Sequence, residues 1–240
     1  MKRVGLIFLL VSALALSGCG AVEGVKSQVK RETFAPQKPN VENVSLHVYL
    51  DRSGSAQKSR EDISKQLMDL VDLYPAAPEI TLHWYSQECI KIVTTVASRT
   101  NLTDVMSQYV SDTHDDDKGI KGTNLATAFR DLEMQSSRES GKQIIGIFVT
   151  DGGFEDDQSV LGKEAEVLRD IPNINMIIFV GLDADGTKKL NVLDDVVRDK
   201  FIMGTGGEAQ KQFFAVNLNN GGPMLAQAKE AITNQIATSK

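Results

Sequence analysis

Basic residues are too few in this chain to suit a polyanionic partner. The 240 residues include 26 lysines and arginines against 32 aspartates and glutamates, so the formal charge is −6 at pH 7. Two of the basic residues, Lys2 and Arg3, stand at the start of the chain, and without them the formal charge is −8. A surface of that sign repels phosphate groups, which argues against nucleic acid and anionic lipid headgroups as partners.

The start of the chain also lacks a hydrophobic run long enough to span a bilayer. The apolar stretch from Val4 to Leu16 is shorter than the roughly 20 residues that a spanning helix needs. Basic residues precede it and small residues follow it, an order that predicts a secretory signal peptide over residues 1–18. The letters "LSGC" at residues 16–19 resemble the lipobox of bacterial lipoproteins. This resemblance implies cleavage before Cys19 and acylation of its thiol, so that the protein is held on a membrane.

Cysteine is scarce, which excludes a disulfide-stapled fold. If Cys19 carries lipid, only Cys89 remains, and a single cysteine cannot form an internal disulfide; we expect it to be buried beside a strand. An ordinary cleavage site that happens to precede a cysteine is the alternative to lipidation. Gly20 stands where inner-membrane lipoproteins of Gram-negative cells have aspartate, which favours the outer membrane, and the outer leaflet of a Gram-positive cell remains open.

The rest of the chain has the composition of a globular protein that follows a linker. Residues 19–43 are mostly polar, contain Pro36 and Pro39 and show no hydrophobic period, so they are predicted to be a flexible linker. With 41% hydrophobic and 24% charged residues overall, the chain can bury one good core. Residues 44–240 are therefore predicted to form one domain.

Apolar runs alternate with helical patterns throughout that domain. The predicted strands are residues 44–50, 80–86, 90–96, 143–150, 174–181 and 213–218. The fourth and fifth are nearly continuously apolar, which is typical of a parallel sheet covered on both faces. Apolar stripes predict helices over residues 63–74, 125–132, 160–168, 190–197 and 225–236. The alternation predicts an α/β fold with a doubly wound, mostly parallel central sheet flanked by helices.

Small oxygen-bearing side chains occupy the ends of two predicted strands. Asp51, Ser53 and Ser55 come at every second position where the first strand ends, and Asp151 directly follows the fourth. Thr123 precedes a predicted helix whose N-terminus should face the same edge. Because ligands of open α/β sheets bind outside the carboxyl ends of the strands, we expect these side chains to share one edge.

The three motifs in which these residues lie resemble those of one family. "DRSGS" after the first strand, "GTNL" at a helix start and "VTDGGFED" after a central strand resemble the von Willebrand factor A-type (VWA) domain, over roughly residues 44–238. Position by position, the five side chains match the metal-ion-dependent adhesion site (MIDAS) of that family. The resemblance implies a bound Mg²⁺, with Mn²⁺ or Ca²⁺ as alternatives, and an exchangeable position for the carboxylate of a protein partner. Hydroxyl and carboxylate oxygens are indeed hard ligands of the kind that Mg²⁺ prefers, and no histidine or cysteine in the motifs points to zinc.

Three functions of different classes fit these features. The leading hypothesis is a non-enzymatic, cation-dependent protein-binding module displayed on the bacterial envelope. A metal-dependent phosphatase of the haloacid-dehalogenase type also has an aspartate after its first strand, but Ser53 stands where its general acid should be, and no phosphate-binding loop is found. The third is a structural subunit of an envelope assembly, in which the cation would stabilise the domain.

Two features have simpler interpretations. Aspartate and serine are common in turns and helix caps, so "DRSGS" alone would more often be a turn than a metal site. His47 and His83 lie inside predicted strands, and we expect them to be packed or edge residues and not ligands.

Overall fold

The computed structural model describes residues 41–73, 77–112, 122–151, 153–181, 193–202, 211–217 and 222–239. The predicted signal peptide (1–18), Cys19 and the predicted linker up to residue 40 lie outside these residues. At the end of that linker, Val41–Asn43 already form a short 3-10 helix, and Val41 packs against the core of the domain.

A six-stranded sheet forms the centre of the domain, with the strand order β3-β2-β1-β4-β5-β6. The strands are β1 (Val44–Asp51), β2 (Glu79–Tyr85), β3 (Cys89–Val96), β4 (Gln143–Thr150), β5 (Ile174–Gly181) and β6 (Gln212–Asn217). Neighbouring strands are parallel except β2 and β3, which are antiparallel. The predicted mostly parallel α/β sheet is confirmed, and each strand lies within one residue of its predicted bounds.

Helices connect the strands and cover both faces of the sheet. They are α1 (Arg60–Val71), α2 (Arg99–Ser111), α3 (Leu125–Arg138), α4 (Gln158–Asp170), α5 (Asp199–Ile202) and α6 (Gly222–Thr238). A 3-10 turn, Ser55–Ser59, precedes α1, and a π-helical segment, Leu193–Arg198, runs into α5. Tyr74 and residues 190–192, which belong to predicted helical stripes, lie outside the described residues. No helix in the described part of the chain is long and apolar enough to cross a membrane.

The two faces of the sheet bury different kinds of side chain. Leu46, Val48 and Leu50 of β1 point to the face covered by α1, α2 and α6. The other face, under α3, α4 and α5, carries a row of aromatic rings in which Phe148 stacks on Tyr49 and on Phe179, with centroids 4.9 and 5.2 Å apart. Because successive residues of a strand point to opposite faces, strands covered on both sides are apolar throughout, as β4 and β5 are.

The strand order places a crevice at the carboxyl ends of β1 and β4. From β1 the chain continues towards β2 on one side, whereas β4 and β5 extend the sheet on the other side. Neighbouring strands whose connections lead in opposite directions leave a gap above their carboxyl ends, which is where open α/β sheets bind ligands. Asp51 ends β1 and Thr150 ends β4 at this point.

Candidate metal centre

Asp51 lies at the bottom of the crevice and is held by contacts from three directions. Its Oδ1 accepts a hydrogen bond from the Ser53 backbone N–H at 2.9 Å, and its Oδ2 accepts one from Thr150 Oγ1 at 3.3 Å. The hydroxyl of Tyr109, which lies on α2, donates to the backbone oxygen of Asp51 at 2.7 Å. Both the carboxylate and its backbone are therefore fixed by β4, α2 and the loop that follows β1.

Three hydroxyl groups of the predicted site lie close to this carboxylate or to one another. The Oγ atoms of Ser53 and Ser55 are 3.1 Å apart, and Thr123 Oγ1 lies 3.4 and 3.5 Å from the two carboxylate oxygens of Asp51. Ser53 and Thr123 are buried, whereas Ser55 is exposed. Neighbouring ligands of an octahedral cation at about 2.1 Å are about 3 Å apart, so these separations are compatible with one shared cation.

Asp151 contributes a second negative charge to the crevice. Its Oδ1 accepts a hydrogen bond from the Gly153 N–H at 2.7 Å, which turns the carboxylate back towards its own loop. The pKa of Asp51 is raised to about 6, mainly by burial and further by the charge of Asp151, while hydrogen bonds from Ser53 and Thr150 oppose the rise. The charge of Asp151 thus disfavours ionisation of the buried Asp51, and a cation bound beside Asp51 would reverse this effect.

The segment that carries Thr123 is fixed by a glycine and by two backbone hydrogen bonds. Gly122 has φ +97°, and a Cβ atom there would lie 2.1 Å from Glu155 Oε2, so a larger residue would be both strained and obstructed. The backbone oxygen of Thr123 accepts a hydrogen bond from the Glu155 N–H at 2.9 Å, and the Asn124 N–H donates to Ser86 O at 2.8 Å. Thr123 is thereby clamped between the loop after β4 and the turn after β2.

The N-terminus of α3 is capped from two sides. Asn124 Oδ1 accepts a hydrogen bond from the Thr127 N–H at 3.2 Å. The carboxylate of Asp156, in the loop after β4, accepts hydrogen bonds from Leu125 N at 2.6 Å and Ala126 N at 3.2 Å. The loop after β4 thus holds both Asp151 and the helix that follows Thr123.

Arg60 fixes the loop that carries the two serines. It is 2% exposed, and its guanidinium group donates to Arg52 O at 2.8 Å and Ser53 O at 3.2 Å. The same group donates to Tyr109 O at 3.3 Å and to Asp112 O. Sequence reasoning missed Arg60, because an arginine in the first turn of an amphipathic helix looks like a surface residue. It also missed Asp156, although this residue stands in the same acidic motif as Asp151.

Comparison with known proteins finds similarity in structure only. No family model matches the chain, and no curated protein matches it. A von Willebrand factor type A structure from Catenulispora acidiphila superposes with a TM-score of 0.56 at 12% identity, over 81% of this chain and 43% of that one. Proximal thread matrix protein 1 of the mussel byssus, in a structure with a zinc-occupied MIDAS motif, also superposes with a TM-score of 0.56 at 12% identity. The superposition covers 80% of this chain and 46% of that one.

Two further structures extend the same comparison. The pilus adhesin SpaC from Lactobacillus rhamnosus GG gives a TM-score of 0.53 at 13% identity, over 83% of this chain and 30% of that one. An aerotolerance-related membrane protein from Bacteroides fragilis gives a TM-score of 0.51 at 13% identity, over 80% of this chain and 98% of that one. The chain thus spans less than half the length of the first three structures and nearly all of the fourth. At these identities the likeness shows the fold, and the domain has the VWA fold.

Proposed function

We propose that this domain is a divalent-cation-dependent protein-binding module, anchored to the bacterial envelope by lipid on Cys19. The observation that carries the proposal is the approach of hydroxyl and carboxylate oxygens, from three distant parts of the chain, at the crevice between β1 and β4. The VWA fold supports it, since an adhesin is among the structures that share this fold.

The donor set fits a hard cation such as Mg²⁺, with Mn²⁺ and Ca²⁺ as alternatives. We assign Ser53, Ser55 and Thr123 as direct ligands, with Asp51 and Asp151 acting largely through bound water. Three neutral hydroxyls leave most of the positive charge of the cation in place, and that charge would attract an acidic side chain of a partner protein. Ser53 cannot act as a general acid as an aspartate would, and the proposal therefore includes no phosphatase activity.

The cation site is tested by titrating Mg²⁺ and Mn²⁺ into the purified protein in a calorimeter. We expect saturable binding to the wild-type protein and none to Asp51→Ala. The control is Ser98→Ala, which removes the cap of α2, since Ser98 Oγ accepts a hydrogen bond from the Asn101 N–H and lies outside the crevice. Undiminished binding by folded Asp51→Ala would show that these residues are not the ligands.

Partner binding is tested by affinity capture from envelope extract, with Mg²⁺ or with EDTA, followed by mass spectrometry. We expect specific partners to be captured with Mg²⁺ by the wild-type protein and by Ser98→Ala. They should be lost in EDTA and with Asp51→Ala. Capture that survives both treatments while the domain is folded would refute the proposal.

The same protein samples, with Mg²⁺ and with EDTA, distinguish a cation that is needed for partner binding from one that only stabilises the fold. A bound cation stabilises the folded state by about 2.7 kcal/mol when its concentration is one hundred times its dissociation constant, so EDTA should lower the melting temperature in either case. In a structural subunit, capture would continue in EDTA at temperatures where the domain stays folded. In a cation-dependent binding module, capture stops well below the melting temperature.

Anchoring through Cys19 is tested by fatty-acid labelling and fractionation of cells. We expect label and membrane association in the wild-type protein, loss of both in Cys19→Ser, and retention of both in Cys89→Ser. The second variant is a matched control, because Cys19 and Cys89 are the two cysteines of the chain. Labelling that persists in Cys19→Ser would contradict the lipid anchor.

A further inference from the structure

A second group of metal-binding side chains lies between the sheet and α3, and it shares no residue with the oxygen-lined crevice. One ring nitrogen of His83, the thiol of Cys89 and one carboxylate oxygen of Asp131 all lie within 4.8 Å of one another. His83 lies on β2, Cys89 begins the antiparallel strand β3, and Asp131 lies on α3. Three elements therefore bring a nitrogen, a sulfur and an oxygen ligand to one place.

His83 Nδ1 faces this place without a hydrogen-bond partner. The side chain of His83 is fully buried, and Nδ1 makes no hydrogen bond, although Asp131 Oδ2 is only 3.2 Å away. The other ring nitrogen, Nε2, is 3.3 Å from Nδ1 of His47. A buried imidazole nitrogen without a partner is costly unless a bound group completes its contacts.

The neighbouring residues indicate which ring nitrogens carry protons. His47 Nε2 is 3.4 Å from Glu139 Oε1, and a hydrogen bond from His47 is the main cause that lowers the pKa of Glu139 to about 2. His47 Nε2 is therefore assigned as a donor, which leaves its Nδ1 as an acceptor for the Nε2–H of His83. A neutral His83 then has a lone pair on Nδ1, directed at the carboxylate of Asp131.

A lone pair and a carboxylate at 3.2 Å repel each other unless a cation or an additional proton lies between them. A neutral imidazole is the form that binds metal ions.

We propose that His83, Cys89 and Asp131 bind a transition-metal ion of the Zn²⁺ class. Nitrogen, thiolate and carboxylate are the ligands that zinc takes in proteins, in contrast to the all-oxygen set of the crevice. Ligands of a tetrahedral zinc ion at 2.0 to 2.3 Å lie about 3.3 to 3.8 Å apart. His83 Nδ1 and Asp131 Oδ2, 3.2 Å apart, are already at about this spacing, and the Cys89 sulfur, within 4.8 Å of both ligands, needs to approach by about 1 Å at most. Cys89 is only half-buried, which gives the ion a route from solvent.

The surroundings of the proposed site hold two of its ligands in place. Tyr49 donates a hydrogen bond to Asp131 Oδ2 at 3.0 Å, and Gln135 Nε2 donates to Asp131 Oδ1 at 3.3 Å. The ring of Tyr49 stacks on that of His83, with centroids 4.5 Å apart. Such supporting contacts orient metal ligands and tune their basicity.

The thiol is the ligand that must change state on binding. Metal ions bind the thiolate form of cysteine, so binding must release the proton of the Cys89 thiol.

Co²⁺ provides a direct test, because it replaces Zn²⁺ in tetrahedral sites and absorbs strongly when a thiolate coordinates it. The experiment uses the full chain with Asp51→Ala, which disables the proposed crevice site, so that its result does not depend on the proposed function. We expect a thiolate-to-cobalt absorption band that saturates at one equivalent of Co²⁺ and disappears when Zn²⁺ is added. The band should vanish with Cys89→Ser and persist with Cys19→Ser.

The histidine and carboxylate ligands are tested with His83→Gln and Asp131→Asn, with circular dichroism to confirm the fold. Each substitution should weaken Co²⁺ binding at least tenfold. If His83→Gln does not fold, the test rests on the Co²⁺ affinity of Asp131→Asn. Absence of the thiolate band, or a band that survives in Cys89→Ser, would overturn the proposal. So would undiminished Co²⁺ binding by Asp131→Asn.

Discussion

Arg60 shows how one buried side chain can hold the loop of a candidate metal centre without being one of its predicted ligands. Its guanidinium group donates to four backbone oxygens, two of which belong to the loop between Asp51 and Ser55. It also lies over the ring of Tyr109, 5.2 Å from the centroid. Arginine suits this position because its planar group carries five donors in a fixed geometry.

Replacing Arg60 with methionine should therefore cost stability and cation affinity together. The change leaves four carbonyl groups, all in buried or partly buried hydrogen bonds, with fewer donors. We expect the free energy of unfolding to fall by about 3 kcal/mol or more. Urea denaturation measures this loss, and Mg²⁺ titration measures the affinity. The control is Arg130→Met, since Arg130 is 56% exposed in its pair with Glu164 and should contribute under about 1 kcal/mol. Equal, small effects of both substitutions would show that Arg60 is not needed.

The residues that sequence reasoning singled out and those it missed differ in how local their signals are. Asp51, Ser53 and Asp151 lie at or just after the ends of strands, so their place at the edge of the sheet follows from the strand pattern alone. Arg60 and Tyr109 act through partners that are far away in the sequence, and nothing in their own neighbourhood reveals those partners. The sequence predicted that His83 would be a packed or edge residue of a strand, and it is indeed buried in β2. That its Nδ1 lacks a hydrogen-bond partner depends on the positions of Asp131 and His47, which only the structure gives.

At the scale of elements, α3 links the crevice that holds Thr123 to the loop after β4. The backbone N–H groups in the first turn of a helix have no acceptor within the helix. In α3, Asp156 of that loop accepts hydrogen bonds from two of them. Thr123 lies directly before this turn and is buried. The position of Thr123 in the crevice therefore depends on a hydrogen-bonded contact between two separate segments.

Asp156→Ala should lower both helix stability and cation affinity. Loss of a helix-capping carboxylate typically costs about 1 kcal/mol, and release of the turn allows Thr123 to move away from Asp51. Thermal denaturation and Mg²⁺ titration measure the two effects. Asp157→Ala is the matched control, because Asp157 caps α4 through the Ser159 N–H at 2.7 Å. It should lower stability slightly and leave Mg²⁺ affinity unchanged; an equal loss of affinity in both variants would contradict the role given to Asp156.

The strands were predictable from hydrophobic patterns, whereas helix α2 was not. β4 and β5 are apolar at almost every position because helices cover both of their faces, and that pattern is independent of any distant partner. By contrast, α2 buries only Leu102, Met106 and Tyr109 among polar residues, which is a weak stripe. The antiparallel direction of β3 was also not predictable, since periodicity gives no strand direction.

At the scale of the whole molecule, Lys211 is a charged side chain that lies in the interior and binds backbone oxygens. Lys211 precedes β6 and is 7% exposed. Its Nζ donates a hydrogen bond to Ile171 O at 2.6 Å and another to Ile174 O. The ammonium group thus bridges the turn between α4 and β5 and the start of β6, and it joins elements that are far apart in the chain.

The pH dependence of stability should reveal this buried lysine. Burial lowers the pKa of Lys211 from 10.5 to about 8, although the charge of Asp170 opposes the change. Between about pH 8 and 10.5, the folded protein has therefore released a proton that the unfolded chain still holds, so the free energy of unfolding rises with pH, by at most about 3 kcal/mol. Below pH 8 both states are protonated and this contribution no longer changes.

Urea denaturation of the wild-type protein and Lys211→Met, at several pH values from neutral to about 10, isolates this contribution. We expect the free energy of unfolding to rise between about pH 8 and 10 in the wild-type protein, and we expect this rise to be absent in Lys211→Met. The control is Lys142→Met, because Lys142 is 30% exposed, pairs with Glu79 and has a raised pKa. Its substitution should leave the rise between pH 8 and 10 intact. If Lys211→Met follows the same profile as the wild-type protein, the ammonium group of Lys211 titrates as it would in water, and its burial does not influence the stability of the domain.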